Sequence, residues 1–299
     1  MSMNLTGRKI AVVGGDERER EIARLAATTG AVVHGFGFPW PDDGIEGVRR
    51  ASDEAEAFAD ADYALFPIPG ITADGALFAP EHPRPIIPTV ELLTTMRSGA
   101  HIVLGWPDDK LKAAASAAGV GLHEYEDDRE LMLLRGPSII EGALELAIKH
   151  SDVSIHGTSI GVIGHGNIGR LLARTLVLLG GKVTVFARNP VQRADAMTAG
   201  ADAADLHELI ERAPGLSMLF STVPHPIATA QVLDQLPRPA LVIDLSAPPG
   251  GVDGEYARRL GHQYVWARGM GRRAPITVGR SQWVGISRRI RALETAREA

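Results

Sequence analysis

Short apolar runs recur along the chain, each closed by glycine or a polar turn and followed by a helical pattern. The first is Lys9-Ile-Ala-Val-Val13, which ends in Gly14-Gly15-Asp16. Glu17 to Thr28 has helical spacing and stops at Gly30; Ala31–Phe36 then reads as a second strand. Strand, tight turn, helix, strand is the signature of a βαβ unit. Tyr63–Phe66, Ile86–Ile87 and His101–Leu104 read as further buried strands. Asp108 is placed to cap a helix that runs to Gly119, ahead of an edge strand Gly121–Glu124.

Glu126-Asp-Asp-Arg-Glu130 is a polar break. Pro137 to His150 is again helical, with proline near the start, where its missing N–H does no harm. Ile139, Ile140, Leu144, Ala147 and Ile148 fall on one face of it. A second βαβ unit opens at Ser159-Ile-Gly-Val-Ile163, with a glycine-rich turn, a helix to Leu179 and the strand Lys182–Ala187. Ser217–Thr222, Leu241–Leu245 and Tyr264–Ala267 continue the strand series. From Ile276 onward the pattern is helical, with Trp283, Ile286, Ile290 and Leu293 in one stripe and arginines forming a solvated face.

Alternation of this kind predicts an α/β protein of two doubly wound, Rossmann-like domains, joined by a bridging helix with a cleft between them. The expected divisions are an N-terminal substrate-side domain 1–135, a bridging helix 136–152, a dinucleotide-binding domain 153–275, and a C-terminal helix 276–299 packing back at the junction.

Composition narrows the function. With 299 residues, at roughly 100–200 per domain, the chain can build two cores. Hydrophobic residues at 45% and charged residues at 22% exclude a disordered chain. The 31 basic and 36 acidic side chains leave −5, and aromatics are only 5%, so neither bulk charge nor stacking suits nucleic acid. No run approaches the roughly 18 apolar residues of a membrane span, and no charged-then-apolar leader precedes the first strand. A cytoplasmic protein without membrane contact is expected. The absence of cysteine excludes disulfides and thiol catalysis. No metal-ligand spacing appears, and no metal is expected.

The candidate chemistry centres on Gly164-His165-Gly166-Asn167-Ile168-Gly169. The spacing GxGxxG is generic, but here it follows a predicted strand and opens a predicted helix, the context of a dinucleotide site. Gly164 allows the tight turn, Gly166 lets the backbone approach a pyrophosphate, and Gly169 permits close packing of helix on strand. The helix N-terminus offers free N–H groups to the phosphates. At the end of the next strand, where an NAD site carries Asp or Glu, this chain has Ala187-Arg188-Asn189, with Arg193 beyond. A carboxylate would repel a 2′-phosphate and a guanidinium would grip it, so NADP is expected over NAD. Thr222-Val223-Pro224 should border the nicotinamide ribose, and Asp244 to Gly251 should line the same crevice. The other glycine turn, Gly14-Gly15-Asp16, lacks the full spacing; Asp16 fits a helix cap better than a catalytic acid. Arg18 and Arg20 sit unfavourably in a first helical turn. That conflict suggests an anionic ligand, or more simply a local salt bridge.

These segments resemble the A subunit of dipicolinate synthase, a family of spore-forming bacteria, over nearly the whole chain. The likeness runs from Leu5 to Asp16 and through Arg18. It is strongest at Glu141-Gly142, Ala147-Ile148, His150, Asp152 and Ile155-His-Gly157. It returns at Asp244-Leu245, Pro249 to Gly251 with Asp253, and at Ala274-Pro275, Thr277 and Gly279. His165 departs from it, standing where an apolar residue is expected, and Arg268 to Arg273 is more basic than the pattern. The resemblance implies a pyridine-nucleotide dehydrogenase. Its reaction would be oxidation of dihydrodipicolinate, derived from 4-hydroxy-tetrahydrodipicolinate, to dipicolinate. It also implies a flavoprotein-like partner, the second subunit of the synthase, and the cytoplasm of a sporulating mother cell.

Such chemistry needs a proton acceptor near neutral pH and anchors for two carboxylates. His225, after the Thr-Val-Pro turn, and His156, before the dinucleotide unit, are the candidate bases, although a lone histidine is more often structural. Glu141 on the bridging helix is a candidate to orient a histidine or touch substrate; a local ion pair is its simpler use. Arg18, Ser246 and Arg268 are candidate substrate contacts, with Arg272 and Arg273 behind them. Two other functions fit the same residues. One is a dehydrogenase of another small carboxylate, a 2-oxo or amino acid. The other is a nucleotide-binding regulatory or scaffold subunit whose partner performs the redox step. A homo-oligomer is expected for such enzymes.

Overall fold

The computed structural model describes residues 3–125 and 128–298, so part of the polar break at 126–130 lies outside the described residues. Contacts divide the chain into two units, one running to Arg135 and taking in Ala274 onward, the other Gly136–Arg273.

The first unit is built on a six-stranded parallel sheet. Its strands are β1 (Lys9–Val13), β2 (Val32–Phe36), β3 (Val48–Arg50), β4 (Tyr63–Leu65), β5 (His101–Leu104) and β6 (Gly121–Glu124), ordered β3-β2-β1-β4-β5-β6. In β1, Ile10, Ala11, Val12 and Val13 are all fully buried, as a central strand covered on both faces requires. One core, around Phe58, Phe66 and Leu104, covers one face. The other face carries Ile22, Tyr63, Tyr125 and the C-terminal helix Pro275–Glu298, which buries Ile286 and Ile290 beside the first helix, Glu17–Ala27. Arginines of the C-terminal helix are committed: Arg289 to Asp128, Arg288 to Glu130 and Arg280 to Glu21.

The second unit repeats the plan with β7 (Ser159–Ile163), β8 (Lys182–Phe186), β9 (Asp202–Ala204), β10 (Met218–Ser221), β11 (Leu241–Asp244) and β12 (Gln263–Trp266), ordered β12-β11-β10-β7-β8-β9. All pairings are parallel. Both units are thus doubly wound, Rossmann-like α/β domains.

Four local expectations change. Ile86–Ile87 is no strand: Ile86 is buried, but its carbonyl takes the Leu77 N–H outside any ladder among the described residues. β3 and β9 are edge strands of three residues that carry too little apolar pattern to be read. The helix expected from Pro137 begins at Arg129 and carries Pro137 inside it. On that helix Ile140 and Ala147 are buried, whereas Ile148 is exposed. No helix among the described residues is long and apolar enough to cross a membrane.

Candidate dinucleotide site

In a parallel sheet the carboxyl ends of the strands all open on one edge, and ligands gather where the strand order reverses. In the second unit that point lies between β7 and β10. A cavity of about 610 Å³ opens there, lined by Gly164, His165 and Gly166 after β7, Arg188 and Asn189 after β8, and Thr222 to His225 after β10.

Each glycine of the turn has its own reason. Gly164 has φ +92°, and a Cβ on it would press into Thr222 and Val223. A Cβ on Gly169 would collide with the Gly164 carbonyl. At Gly166 a Cβ would meet nothing, so the turn presents open space beside bare backbone. Gly166 also caps the helix Asn167–Leu178 without any side-chain hydrogen bond, leaving first-turn N–H groups for a ligand. Thr222 anchors the arrangement, its N–H and hydroxyl both donating to the Ile163 carbonyl. Asn167 starts the helix and is exposed, Ile168 packs on the core and Gly169 is buried; none of the three lines the cavity.

At the β8 end, no carboxylate occupies Ala187-Arg188-Asn189. Arg188 is exposed at the cavity and makes no ion pair among the described residues. Asn189 caps the helix Pro190–Thr198, its side chain accepting from the Val191 N–H at 2.8 Å. Arg193 requires a correction. Its Nη1 donates to the Ala187 and Arg188 carbonyls and to Asp205 Oδ2, at 2.7, 2.8 and 2.7 Å. It braces the loop from within and does not face the cavity.

The candidate catalytic residues are not brought together. His225 is exposed at the cavity, its N–H donating to the Val223 carbonyl at 2.8 Å. His156 packs on Gly180, at the amino end of β7. Five residues of strand, about 16 Å at 3.3 Å per residue, separate it from the glycine turn, which removes it from the site. Glu141 is held by Arg273 Nη1 at 2.6 Å, away from the cavity lining. That ion pair is the simpler use the sequence offered.

Of the substrate-contact candidates, Ser246 is spent on structure. Its N–H and hydroxyl donate to Asp244 Oδ1, at 3.0 and 2.6 Å, while the Gly251 N–H donates to Oδ2 at 2.7 Å. Asp244, wholly buried, thereby knots the loop beyond β11. Arg268 is exposed, its guanidinium 5.4 Å from the Trp266 ring centre. In the first unit, Arg18 is buried and grips Asp16 bidentately, at 2.7 and 2.9 Å. Asp16 caps the first helix in a capping box with Glu19. Arg20 donates to the Pro39 carbonyl. The N–H groups of Gly14 and Gly15 are taken by the Phe36 and Phe78 carbonyls, so this second turn is plugged by its own chain. Burial pushes the Glu19 carboxyl up to about 8, against the pull of Arg18.

Sequence reasoning missed Phe186, Gln192, Leu206 and Ile227, which complete the cavity. Leu206 follows β9, itself unread. It also missed Asp195, whose Oδ2 lies 2.9 Å from His165 Nε2; nothing in the linear sequence links residues so far apart.

Residues 9–126 match the family model of the N-terminal domain of the dipicolinate synthase A subunit. Residues 141–247 match that of the D-isomer specific 2-hydroxyacid dehydrogenase, NAD binding domain. The dipicolinate synthase A subunit of Bacillus subtilis (strain 168) is 31% identical over 278 residues, 92% of this chain and 93% of the relative. The crystal structure of the dipicolinate synthase A subunit from Bacillus halodurans superimposes with a TM-score of 0.87 at 27% identity, covering 97% of this chain and 99% of that one. The crystal structure of the Bacillus subtilis protein gives 0.86 at 28% identity, covering 99% of both.

Proposed function

Because this chain belongs to the family of the dipicolinate synthase A subunit, we propose that it oxidises dihydrodipicolinate, derived from 4-hydroxy-tetrahydrodipicolinate, to dipicolinate, with NADP as hydride acceptor. The chain is an oxidoreductase subunit with a nicotinamide-dinucleotide domain; the substrate and the choice of NADP go beyond that. The observation that carries the proposal is the end of β8. There Arg188 stands at the cavity where a carboxylate would select NAD.

The glycine turn and the free N–H groups after it fit a pyrophosphate, and Arg188 with Asn189 fits a phosphorylated ribose. The bound nicotinamide supplies hydride acceptance. The chain's own task is to position and deprotonate. As a ring C–H bond gives up its hydride, a second ring hydrogen leaves as a proton and the pyridine forms, so aromatisation drives the step. His225, at the cavity, is the proposed proton acceptor, since imidazole exchanges protons near neutral pH. With Arg18 and Ser246 committed elsewhere, Arg268 is the proposed carboxylate anchor. The relatives' designation as one subunit of a synthase supports a second chain as partner, proposed to be flavoprotein-like, in the mother-cell cytoplasm.

The second reading, a dehydrogenase of another small carboxylate, draws support from the 2-hydroxyacid dehydrogenase match. One assay separates them. The purified chain receives NADP and dihydrodipicolinate generated in situ, and absorbance of reduced cofactor and pyridine product is followed. Both should rise together. His225→Asn should lower kcat by roughly 10²–10⁴-fold with NADP affinity intact. Turnover with other acids alone favours the second reading. Turnover only after adding the flavoprotein-like partner points instead to a scaffold role.

A further inference from the structure

His165 is the anomaly of the glycine turn: a polar, titratable side chain between two glycines, 2% exposed, in the wall of the cavity. One ring nitrogen is committed. Nε2 lies 2.9 Å from Asp195 Oδ2, on the helix Pro190–Thr198, and the same carboxylate oxygen receives Arg170 Nε at 3.1 Å from the glycine-turn helix. The other nitrogen, Nδ1, is buried and has no hydrogen-bond partner among the described residues. Native proteins seldom leave such an atom bare, and a missing ligand is one of the usual reasons.

The chemistry of the pair decides which ligand. A carboxylate only accepts, so the hydrogen sits on Nε2. On a neutral ring Nδ1 is then a lone pair, which repels another acceptor. On a charged ring it is an N–H, which binds one. A dinucleotide in the cavity would present acceptors: phosphoryl oxygens, drawn by the helix N-terminus and by Arg188. The charged groups facing the ring are Asp195 and, behind it, Arg170; the cavity also holds Arg188 and His225. On the Gly166 side of the ring a Cβ would meet nothing, so no side chain there stands between the turn and a ligand.

We infer that His165 carries a proton into the cofactor complex and donates it through Nδ1, as a hydrogen bond, to a phosphoryl group of the dinucleotide, while Asp195 holds Nε2. This rests on the dinucleotide reading of the cavity. The balance is simple: a ring neutral before binding takes one proton from solvent, and no covalent bond changes. The phosphoryl group is either the pyrophosphate, common to NAD and NADP, or the 2′-phosphate, present only in NADP.

Calorimetric titration tests this. The full chain is titrated with NADP and with NAD at pH 8, in two buffers of different ionisation heat, to count protons taken up. A 2′-phosphate, with its second pKa near 6, is already fully ionised there and contributes nothing. Wild type should take up about half a proton or more. Uptake with both cofactors assigns the pyrophosphate, and uptake with NADP alone the 2′-phosphate. His165→Gln should abolish the uptake and weaken binding about tenfold at pH 6.5, while converging on wild type near pH 9. Asp195→Asn, which keeps an acceptor for Nε2 but removes its negative charge, should also lower the uptake, and it serves if the first variant does not fold. Unchanged uptake in these variants, or binding by wild type with no uptake, overturns the inference alone. No binding of either cofactor overturns the dinucleotide reading and this inference with it.

Discussion

At the scale of single residues, function depends on which polar groups are committed and which are free. Arg188 leads the NADP reading in sequence, with Arg193 five positions beyond it at the same strand end. Folding separates them: Arg193 is consumed by two carbonyls and Asp205, and Arg188 is left at the cavity. Likewise Arg18 and Ser246 have the chemistry of substrate anchors but hold Asp16 and Asp244. For Arg18 the sequence already offers a local salt bridge as the simpler use, and Asp16 supplies it; for Ser246 the sequence does not say that the buried carboxylate of Asp244 claims it first. A charge-assisted contact contributes about 1.5–3 kcal/mol. Arg188→Asp should therefore weaken NADP about ten- to a hundred-fold and leave NAD unchanged or tighter, read by fluorescence titration. Arg193→Ala should instead lower the melting temperature.

At the scale of elements, the strands with continuous apolar runs were legible, because a central parallel strand must be apolar on both faces. β1, β7 and β11 are of this kind. The short edge strands β3 and β9 are half solvated and carry no such signal. Ile86 failed in the other direction: it is buried, so it is apolar, but no neighbouring strand pairs with it. The helix around Pro137 shows the limit of proline as a start signal, since the turns before it form anyway. The glycine turn was readable because its three glycines answer three separate steric demands, and these can be tested apart. Gly166→Ala fills open space, so it should preserve the melting temperature while weakening either dinucleotide about tenfold or more. Gly169→Ala forces a methyl group onto the Gly164 carbonyl. It should destabilise the chain by about 1–3 kcal/mol, measured by denaturant unfolding.

At the scale of the whole molecule, two six-stranded domains with a shared plan were readable from two βαβ patterns. That the last helix belongs with the first unit was not, because a stripe of Ile286 and Ile290 does not state which core it will join. The first unit also holds three histidines and a buried acid whose titration is displaced by burial. His34, His101 and His123 are held below their ordinary 6.5, so the unfolded chain binds protons more readily and stability falls as pH drops from about 6.5. Glu19 acts on the other side. Its folded pKa of about 8 exceeds the ordinary 4.5, so its contribution is full below pH 4.5 and is lost as pH rises through 8. Thermal melts should therefore peak between these limits. Glu19→Gln should flatten the alkaline fall while leaving the acid limb unchanged.

If the second unit is an NADP site, the plainest measurement is the wild-type dissociation constant for NADP beside that for NAD at one ionic strength. NADP should bind about ten- to a hundred-fold more tightly. Equal affinity, or tighter binding of NAD, would contradict the assignment.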